Sequence, residues 1–144
     1  MDEAQIAVYP PSAGQVRTLA DLAQPGLRVS LCQPQVPCGV LAAKVLAKAV
    51  VRVTPVTQGL DVKSTLASVL SGEAAAAIVY VTDVRAAGSR VVGVDIPARV
   101  NASTSYEVAP LAVSKHLALA RAFAELLLTS SSQQALQVAG FTPP

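Results

Sequence analysis

A loop-to-helix junction near residue 37 presents backbone N–H groups that could bind an anion. Pro37 suits the first position of a helix, where its missing N–H is not needed. The N–H groups of Cys38, Gly39 and Val40 would then lie in the first turn, where a helix offers them no acceptor. Gly39 would also let a ligand approach the backbone closely. Because the N-terminal end of a helix carries partial positive charge, this junction is a candidate oxyanion site.

A second junction and one phenol offer donors of the same kind. Asp61 is a good N-cap, and it leaves the N–H groups of Val62 and Lys63 free. Tyr80 ends the most apolar predicted strand, so its hydroxyl could donate to the same anion. Ligands of open α/β sheets collect at the carboxyl ends of strands, beside helix starts. The residues alone favour the alternative, an ordinary pair of helix starts and a core tyrosine bonded to a carbonyl.

The two cysteines, Cys32 and Cys38, are a candidate disulfide. Cys32 lies at the end of a predicted strand and Cys38 at a helix start, so the intervening turn can bring their Cα atoms within bonding distance. A disulfide would hold the loop that presents the Cys38 N–H, but it requires an oxidising compartment. Two buried thiols and a redox pair are the other interpretations. The spacing is not that of a redox motif, and no His/Cys cluster favours a metal site.

Composition excludes several classes of function. The chain has 144 residues, 52% of them hydrophobic and 14% charged, which suits one α/β domain and argues against disorder. A net charge of +2, 3% aromatic residues and no Trp give no basis for a nucleic-acid partner. With one His and no nucleophile–base pair, phosphate loop or paired carboxylates, the sequence predicts neither an enzyme nor a cofactor. The acidic start at residues 1–4 is not typical of a secretory signal, and no apolar run is long enough to span a membrane.

Strands and helices alternate along the chain, which predicts a mostly parallel sheet with helices on both faces. A polar linker is expected at 98–105 and an extended stretch at 106–113, with Thr82 and Asp83 in a turn. Strands are expected at 5–9, 27–31, 50–53, 76–81 and 91–96. Helical segments are expected at 18–22, 40–49, 62–71, 115–128 and 131–139.

Three segments together resemble the molybdate-binding periplasmic proteins, the substrate-binding components of molybdate ABC transporters. They are VSLCQPQVPCGVLAAKVL, LDVKSTLASVLSGEAAAAIVYVTDV, and SYEVAPLAV followed by two helices and AGFTPP. The resemblance runs from about Gln5 to Pro144, and the middle segment is the most specific. One departure is Ala75, which stands where the family pattern has Asp, and we expect it to affect stability at most.

The resemblance implies a type II periplasmic-binding-protein lobe that binds a tetrahedral oxyanion, molybdate or tungstate, and needs no further cofactor or metal. By position in the motifs, the ligand would be bound by the backbone N–H groups of Cys38 and Val62 and by the hydroxyl of Tyr80. The resemblance also implies membrane permease subunits of an ABC transporter as partners. It implies an extracytoplasmic location, in the periplasm or as a cell-envelope lipoprotein.

The family pattern divides the chain into three parts. Residues 1–9 would be a crossing strand, 10–103 the second lobe, and 104–144 a crossing strand and C-terminal helices of an incomplete first lobe. The serine turns that supply the family's other ligands have no counterpart here, so the chain resembles an N-terminally truncated member. We therefore expect weak oxyanion binding, or none, unless a second chain completes the cleft in a homodimer driven by the exposed apolar face of helix 115–128.

Two other interpretations remain open at this level. The chain could be a ligand-sensing domain of a transcription regulator, which can share this fold, or a truncated remnant with no transport role.

Overall fold

The computed structural model describes residues 1–143, so Pro144, the last residue of the predicted C-terminal part, lies outside the described residues. The strands are β1 (Asp2–Val8), β2 (Val29–Cys32), β3 (Thr57–Gly59), β4 (Ala76–Tyr80), β5 (Val92–Asp95) and β6 (Ser103–Thr104). The helices are α1 (Pro37–Ala49), α2 (Val62–Leu70), α3 (Val81–Ala87), α4 (Leu117–Leu127) and α5 (Ser130–Ala139).

The sheet is mostly parallel, as predicted. Its strand order is β3-β2-β4-β1-β5, and β6 pairs separately with β1. β2 is parallel to both β3 and β4, whereas β1 is antiparallel to β4, β5 and β6. All strands except β1 therefore run in one direction. The carboxyl ends of β2, β3 and β4 lie at one edge of the sheet, where α1, α2 and α3 begin.

Helices cover both faces of the sheet, which confirms the predicted layering. One core cluster contains Ile6, Ile78 and Tyr80 of the sheet together with Leu41 and Val45 of α1. The other cluster packs the opposite faces of β1 and β4 against α2 and α3. The alternation along each strand explains this division, since successive side chains of a strand point to opposite faces.

Several predicted boundaries are wrong. Residues 50–53 form no strand, because Val50 adopts a left-handed φ of 55° and ends α1, with its side chain 88% exposed. The next strand is β3, at Thr57–Gly59. Thr82 and Asp83 lie in helix α3 rather than in a turn. The extended stretch at 106–113 contains no strand, while the polar linker contains β6.

The C-terminal helices are attached to the sheet at few points. Arg85 of α3 donates from one guanidinium nitrogen to the carbonyls of Gln137 and Val138, each at 3.0 Å. Neither α4 nor α5, both wholly within the described residues, contributes a buried residue. Leu119 and Phe123 of α4 are 70% and 57% exposed. The two helices thus present an apolar surface that the described residues leave uncovered. No helix within residues 1–143 combines the length and hydropathy needed to cross a membrane.

Candidate functional site

The residues predicted to bind an oxyanion line one cavity of about 360 Å³ at the carboxyl edge of the sheet. Cys38 comes from the start of α1, Val62 from the start of α2, and Tyr80 from the end of β4. The complete lining of the cavity is Val36, Pro37, Cys38, Leu60, Asp61, Val62, Tyr80, Thr104 and Tyr106. No Lys or Arg of residues 1–143 contributes to it, and no group of three metal-binding side chains occurs in the same range.

The start of α1 leaves one of the three predicted donors available. Val36 is extended, with φ −91° and ψ 157°, and Pro37 begins the helix. The Val36 carbonyl accepts from the N–H groups of Gly39 at 2.9 Å and Val40 at 3.0 Å. Those two N–H groups are therefore not free, contrary to the expectation from sequence. Within residues 1–143, the Cys38 N–H has no such acceptor, and Cys38 lines the cavity.

The start of α2 is capped as predicted. The Asp61 carboxylate accepts from the Ser64 N–H at 2.7 Å. This bond, the Ser64 hydroxyl and the Lys63 N–H lower the pKa of Asp61, so its carboxylate is ionised at neutral pH. The cap uses the N–H of the third helical position, Ser64. It leaves the Val62 N–H, at the first position, without an acceptor in the part of the chain that the structure describes.

Tyr80 can act as a hydrogen-bond donor to an anion. Its side chain is 5% exposed, and burial raises the pKa of its hydroxyl. The Thr104 hydroxyl acts in the opposite direction, while the negative charges of Asp2 and Asp83 raise the pKa further. The phenol is therefore protonated at neutral pH and keeps its proton to donate.

A disulfide lies directly behind the cavity. Cys32 at the end of β2 is bonded to Cys38, with their Cα atoms 5.8 Å apart. The bond ties the first turn of α1, which carries the Cys38 N–H, to the central sheet. Gly39, in the same first turn, lies very close to the segment that joins β2 to α1. A Cβ at position 39 would lie 1.9 Å from the Gln33 carbonyl oxygen.

Thr104 and Tyr106 line the cavity but were not singled out from the sequence. Thr104 lies in the polar linker and Tyr106 directly after it, and the pairing of β6 with β1 brings them to the carboxyl edge. The Tyr106 ring also packs edge-on against Phe141, with ring centroids 5.6 Å apart. The one signal in the sequence was the position of Tyr106 in the third family-like segment. The two-residue strand that places it is too short to recognise from a pattern.

Comparison with known sequences assigns the family. The sequence model of the family described as bacterial extracellular solute-binding protein matches residues 2–142. The chain belongs to this family. Members of the family are extracytoplasmic solute-binding proteins.

The relatives of this solute-binding protein include proteins whose names specify molybdate. The molybdate-binding protein ModA of Mycobacterium tuberculosis (strain ATCC 25618 / H37Rv) is 33% identical over 130 residues, which are 90% of this chain and 50% of the relative. The chain thus spans about half the length of the curated relatives it matches.

Two solved structures share the fold. The substrate-binding domain of a putative molybdenum ABC transporter from Clostridium difficile superposes with a TM-score of 0.71 at 22% identity, covering 99% of this chain and 64% of that one. The periplasmic molybdate-binding protein of Azotobacter vinelandii gives 0.73 at 17% identity, covering 99% and 66%. At these identities the likeness establishes the periplasmic-binding-protein fold of this solute-binding protein.

The carboxyl group of Asp83, close to Tyr80, makes a testable contribution to the pH dependence of stability. Burial raises the pKa of Asp83, and the charge of Asp2 adds to this effect, while the Tyr80 N–H and Lys63 oppose it. The folded state therefore holds this proton more tightly than the unfolded state, whose pKa is near 3.8. As pH rises from 3.8 through the raised pKa, ionisation of Asp83 lowers the free energy of unfolding.

We expect the Asp83→Asn variant to gain stability relative to the wild type as pH increases over this window. Urea denaturation between pH 4 and about 7 measures the difference, and urea leaves charge interactions unscreened. Asp61→Asn is the pH-independent control, since the pKa of Asp61 is lowered below 3.8 and its titration lies almost entirely below this pH window. If the free energies of unfolding of Asp83→Asn and the wild type differed by the same amount at every pH, the burial argument would be contradicted.

Proposed function

We propose that this chain forms the anion-binding lobe of the extracytoplasmic solute-binding component of an ABC uptake system for molybdate or tungstate. The oxyanion is bound by the N–H groups of Cys38 and Val62 and by the Tyr80 hydroxyl. The observation that carries the proposal is that two helix-start residues whose N–H groups have no acceptor within residues 1–143 line a single cavity together with one protonated phenol.

The chemistry of these donors favours a tetrahedral dianion. All three are neutral, and each can donate one hydrogen bond to a different oxygen atom of the anion. The partial positive charge at the starts of α1 and α2 adds to this preference. The Asp61 carboxylate opposes it, but that carboxylate is bound to the Ser64 N–H and faces the same helix end. The size of the ring of donors would then separate molybdate and tungstate from the smaller sulfate.

The relatives support the ligand and the partners. The matched half of the mycobacterial molybdate-binding protein covers nearly the whole chain, and the cavity residues Cys38, Val62 and Tyr80 lie in the segments that resemble that family. The binding component of an ABC uptake system delivers its anion to membrane permease subunits, which we propose as the partners of this chain. The disulfide supports an extracytoplasmic location, because such bonds persist in oxidising compartments.

The same resemblance supports a division of the chain at its crossing strands. We propose that 1–9 is one crossing strand, 10–103 the second lobe, and 104–144 the returning strand and helices of the first lobe. The antiparallel pairing of Asp2 with Thr104 and of Glu3 with Ser103 supports this boundary. Two strands that cross between lobes would be expected to pair in this way.

The three proposed donors, Cys38, Val62 and Tyr80, all belong to the second lobe, so affinity depends on what faces them. Each hydrogen bond to a charged group contributes roughly 1.5–3 kcal/mol. A ligand held by the described donors alone would therefore bind about 10³-fold or more weakly than one enclosed by a second set of about three donors. The exposed apolar face of α4, formed by Leu119, Phe123 and Leu126, would support a homodimer that closes the cleft.

Backbone amide NMR of the 144-residue chain tests the function even at weak affinity. Titration with molybdate and with tungstate should shift the amide resonances of Cys38 and Val62 and saturate, whereas sulfate should shift them less. Saturable sulfate binding with no response to molybdate would overturn the ligand assignment. Shifts confined to residues outside the cavity would overturn the site.

The Tyr80→Phe variant tests the phenol. It removes one oxygen atom from a nearly buried ring, so the fold should persist while the anion loses one donor. We expect the molybdate affinity to fall at least about tenfold. Tyr9→Phe is the matched control, because Tyr9 packs beside Gly72 and does not line the cavity. Equal affinities for the two variants would remove Tyr80 from the site.

A further inference from the structure

Thr65 is a buried polar residue that contacts the supports of both backbone donors. It lies one turn into α2 and its exposure is 0%. Its Oγ1 is 2.9 Å from the carbonyl oxygen of Asp61 and 3.2 Å from Sγ of Cys32. The disulfide sulfur carries no proton, so the Thr65 hydroxyl is the only hydrogen-bond donor among these three groups.

The hydroxyl bond from Thr65 to Asp61 helps to fix the direction of the Val62 N–H. The Asp61 carbonyl also accepts from the Ser64 hydroxyl at 2.9 Å and from the Thr65 N–H at 3.2 Å. Among these donors, only the Thr65 hydroxyl also contacts Cys32. The Asp61 carbonyl and the Val62 N–H belong to one peptide group, which is planar and trans. The two bonds of such a group point in opposite directions. A hydroxyl that holds the carbonyl oxygen inside the protein therefore keeps the N–H directed outward, to the cavity. Donation to the carbonyl also polarises the peptide group and strengthens its N–H as a donor.

The contact of Thr65 with Cys32 links Thr65 to the second backbone donor, the Cys38 N–H. Cys32 is bonded through its sulfur to Cys38, which lines the same cavity and whose N–H has no acceptor within residues 1–143. The β3 backbone closes the remaining side, since a Cβ at Gly59 would lie 2.2 Å from Thr65 Oγ1. The hydroxyl is thus confined between the start of α2, the disulfide and the end of β3. A change in its position would be transmitted to both helix starts.

We propose that Thr65 is a positioning residue of the oxyanion site. Its hydroxyl sets the orientation of the Val62 N–H and, through the Cys32–Cys38 disulfide, the spacing between the two helix-start donors. Thr65 itself does not line the cavity, so it would act on the anion only through the two N–H groups. The inference rests on the proposed function for its meaning, but the orientation of the N–H groups can be measured without a ligand.

Three variants separate positioning from stability. Thr65→Val keeps the shape of the side chain and removes the hydroxyl, whereas Thr65→Ser keeps the hydroxyl. Thr57→Val is the control, because Thr57 donates a part-buried hydroxyl bond to Ser30 at 2.8 Å, away from the cavity lining. Residual dipolar couplings of the Cys38 and Val62 N–H vectors report orientation in the free protein. Amide titration with molybdate reports affinity.

The expected result is reoriented N–H vectors in Thr65→Val with an affinity about tenfold lower, and values near the wild type in Thr65→Ser and Thr57→Val. Unchanged vectors in Thr65→Val, or equal losses in Thr65→Val and Thr57→Val, would overturn the proposal. If the wild type binds none of molybdate, tungstate and sulfate, the proposed function fails. The couplings still decide whether Thr65 orients the two N–H groups.

Discussion

The Gly39→Ala variant should be strongly destabilised and should lose the cavity. A Cβ at this position would lie 1.9 Å from the Gln33 carbonyl oxygen, 2.7 Å from the Gln33 carbonyl carbon and 3.1 Å from the Cys32 carbonyl oxygen. All three are backbone atoms, so no side-chain rotation relieves the overlap. Their segment is also held by the disulfide and by the bond from the Gln33 N–H to the Gly59 carbonyl at 2.8 Å.

Two effects of opposite sign decide the size of this change. Alanine in place of glycine within a helix gains up to about 1 kcal/mol of helix propensity. Overpacking of a fixed neighbour costs about 1–3 kcal/mol and sometimes more. An overlap with backbone belongs at the upper end of that range, so we expect a net loss of about 2 kcal/mol or more in the free energy of unfolding, measured by chemical denaturation.

Gly14→Ala provides the comparison for Gly39. A Cβ at Gly14 would have no other atom within 4 Å, and the φ of Gly14 is not positive, so its substitution should change stability by less than about 0.5 kcal/mol. A stability loss at Gly39 no larger than that at Gly14 would show that α1 can move away from β2. The position of the Cys38 N–H would then not be fixed by close packing.

The helix starts that present the proposed donors were predictable because they depend on local chemistry. Pro37 and Asp61 mark helix starts through backbone geometry and capping, both of which act within a few residues. The sequence could not show which N–H groups remain available at those starts. That depends on the Val36 carbonyl, which accepts from the N–H groups of Gly39 and Val40, while the Cys38 N–H finds no acceptor in the part of the chain that the structure describes.

The remaining errors arose where non-local contacts override local preference. The β-branched run at 50–53 suggested a strand, but Val50 ends α1 in a left-handed conformation and the chain reaches the sheet only at Thr57. Helix α3 begins directly after β4, with no loop between them to mark its start. Tyr106 reaches the cavity because two residues of β6 pair with β1 across about a hundred positions of sequence. Patterns of period two or 3.6 carry no information about such pairings.

The Val62→Pro variant should abolish saturable oxyanion binding while the fold persists. Val62 is the first residue of α2, where a helix makes no use of the N–H and where proline is favoured. The preceding Asp61 is already extended, with φ −154° and ψ 176°, as proline requires of the residue before it. The substitution therefore removes the donor with little strain on the backbone.

The loss should be larger than that of a single side-chain donor. Proline removes the N–H and also places a ring CH₂ where an oxygen atom of the anion would lie. We expect molybdate affinity to fall about 100-fold or more, so that the Cys38 amide resonance no longer saturates in the titration. Val62→Ala is the matched control, because it shortens the same side chain but keeps the N–H.

The contrast between these two variants isolates the backbone. If affinity depended on the apolar contacts of Val62, which is partly buried against both core clusters, the alanine variant would lose it as well. If affinity depended on the Val62 N–H, only the proline variant would lose affinity. Binding by Val62→Pro at the wild-type level, in a protein with the unfolding transition of the wild type, would mean that the anion is held without the start of α2.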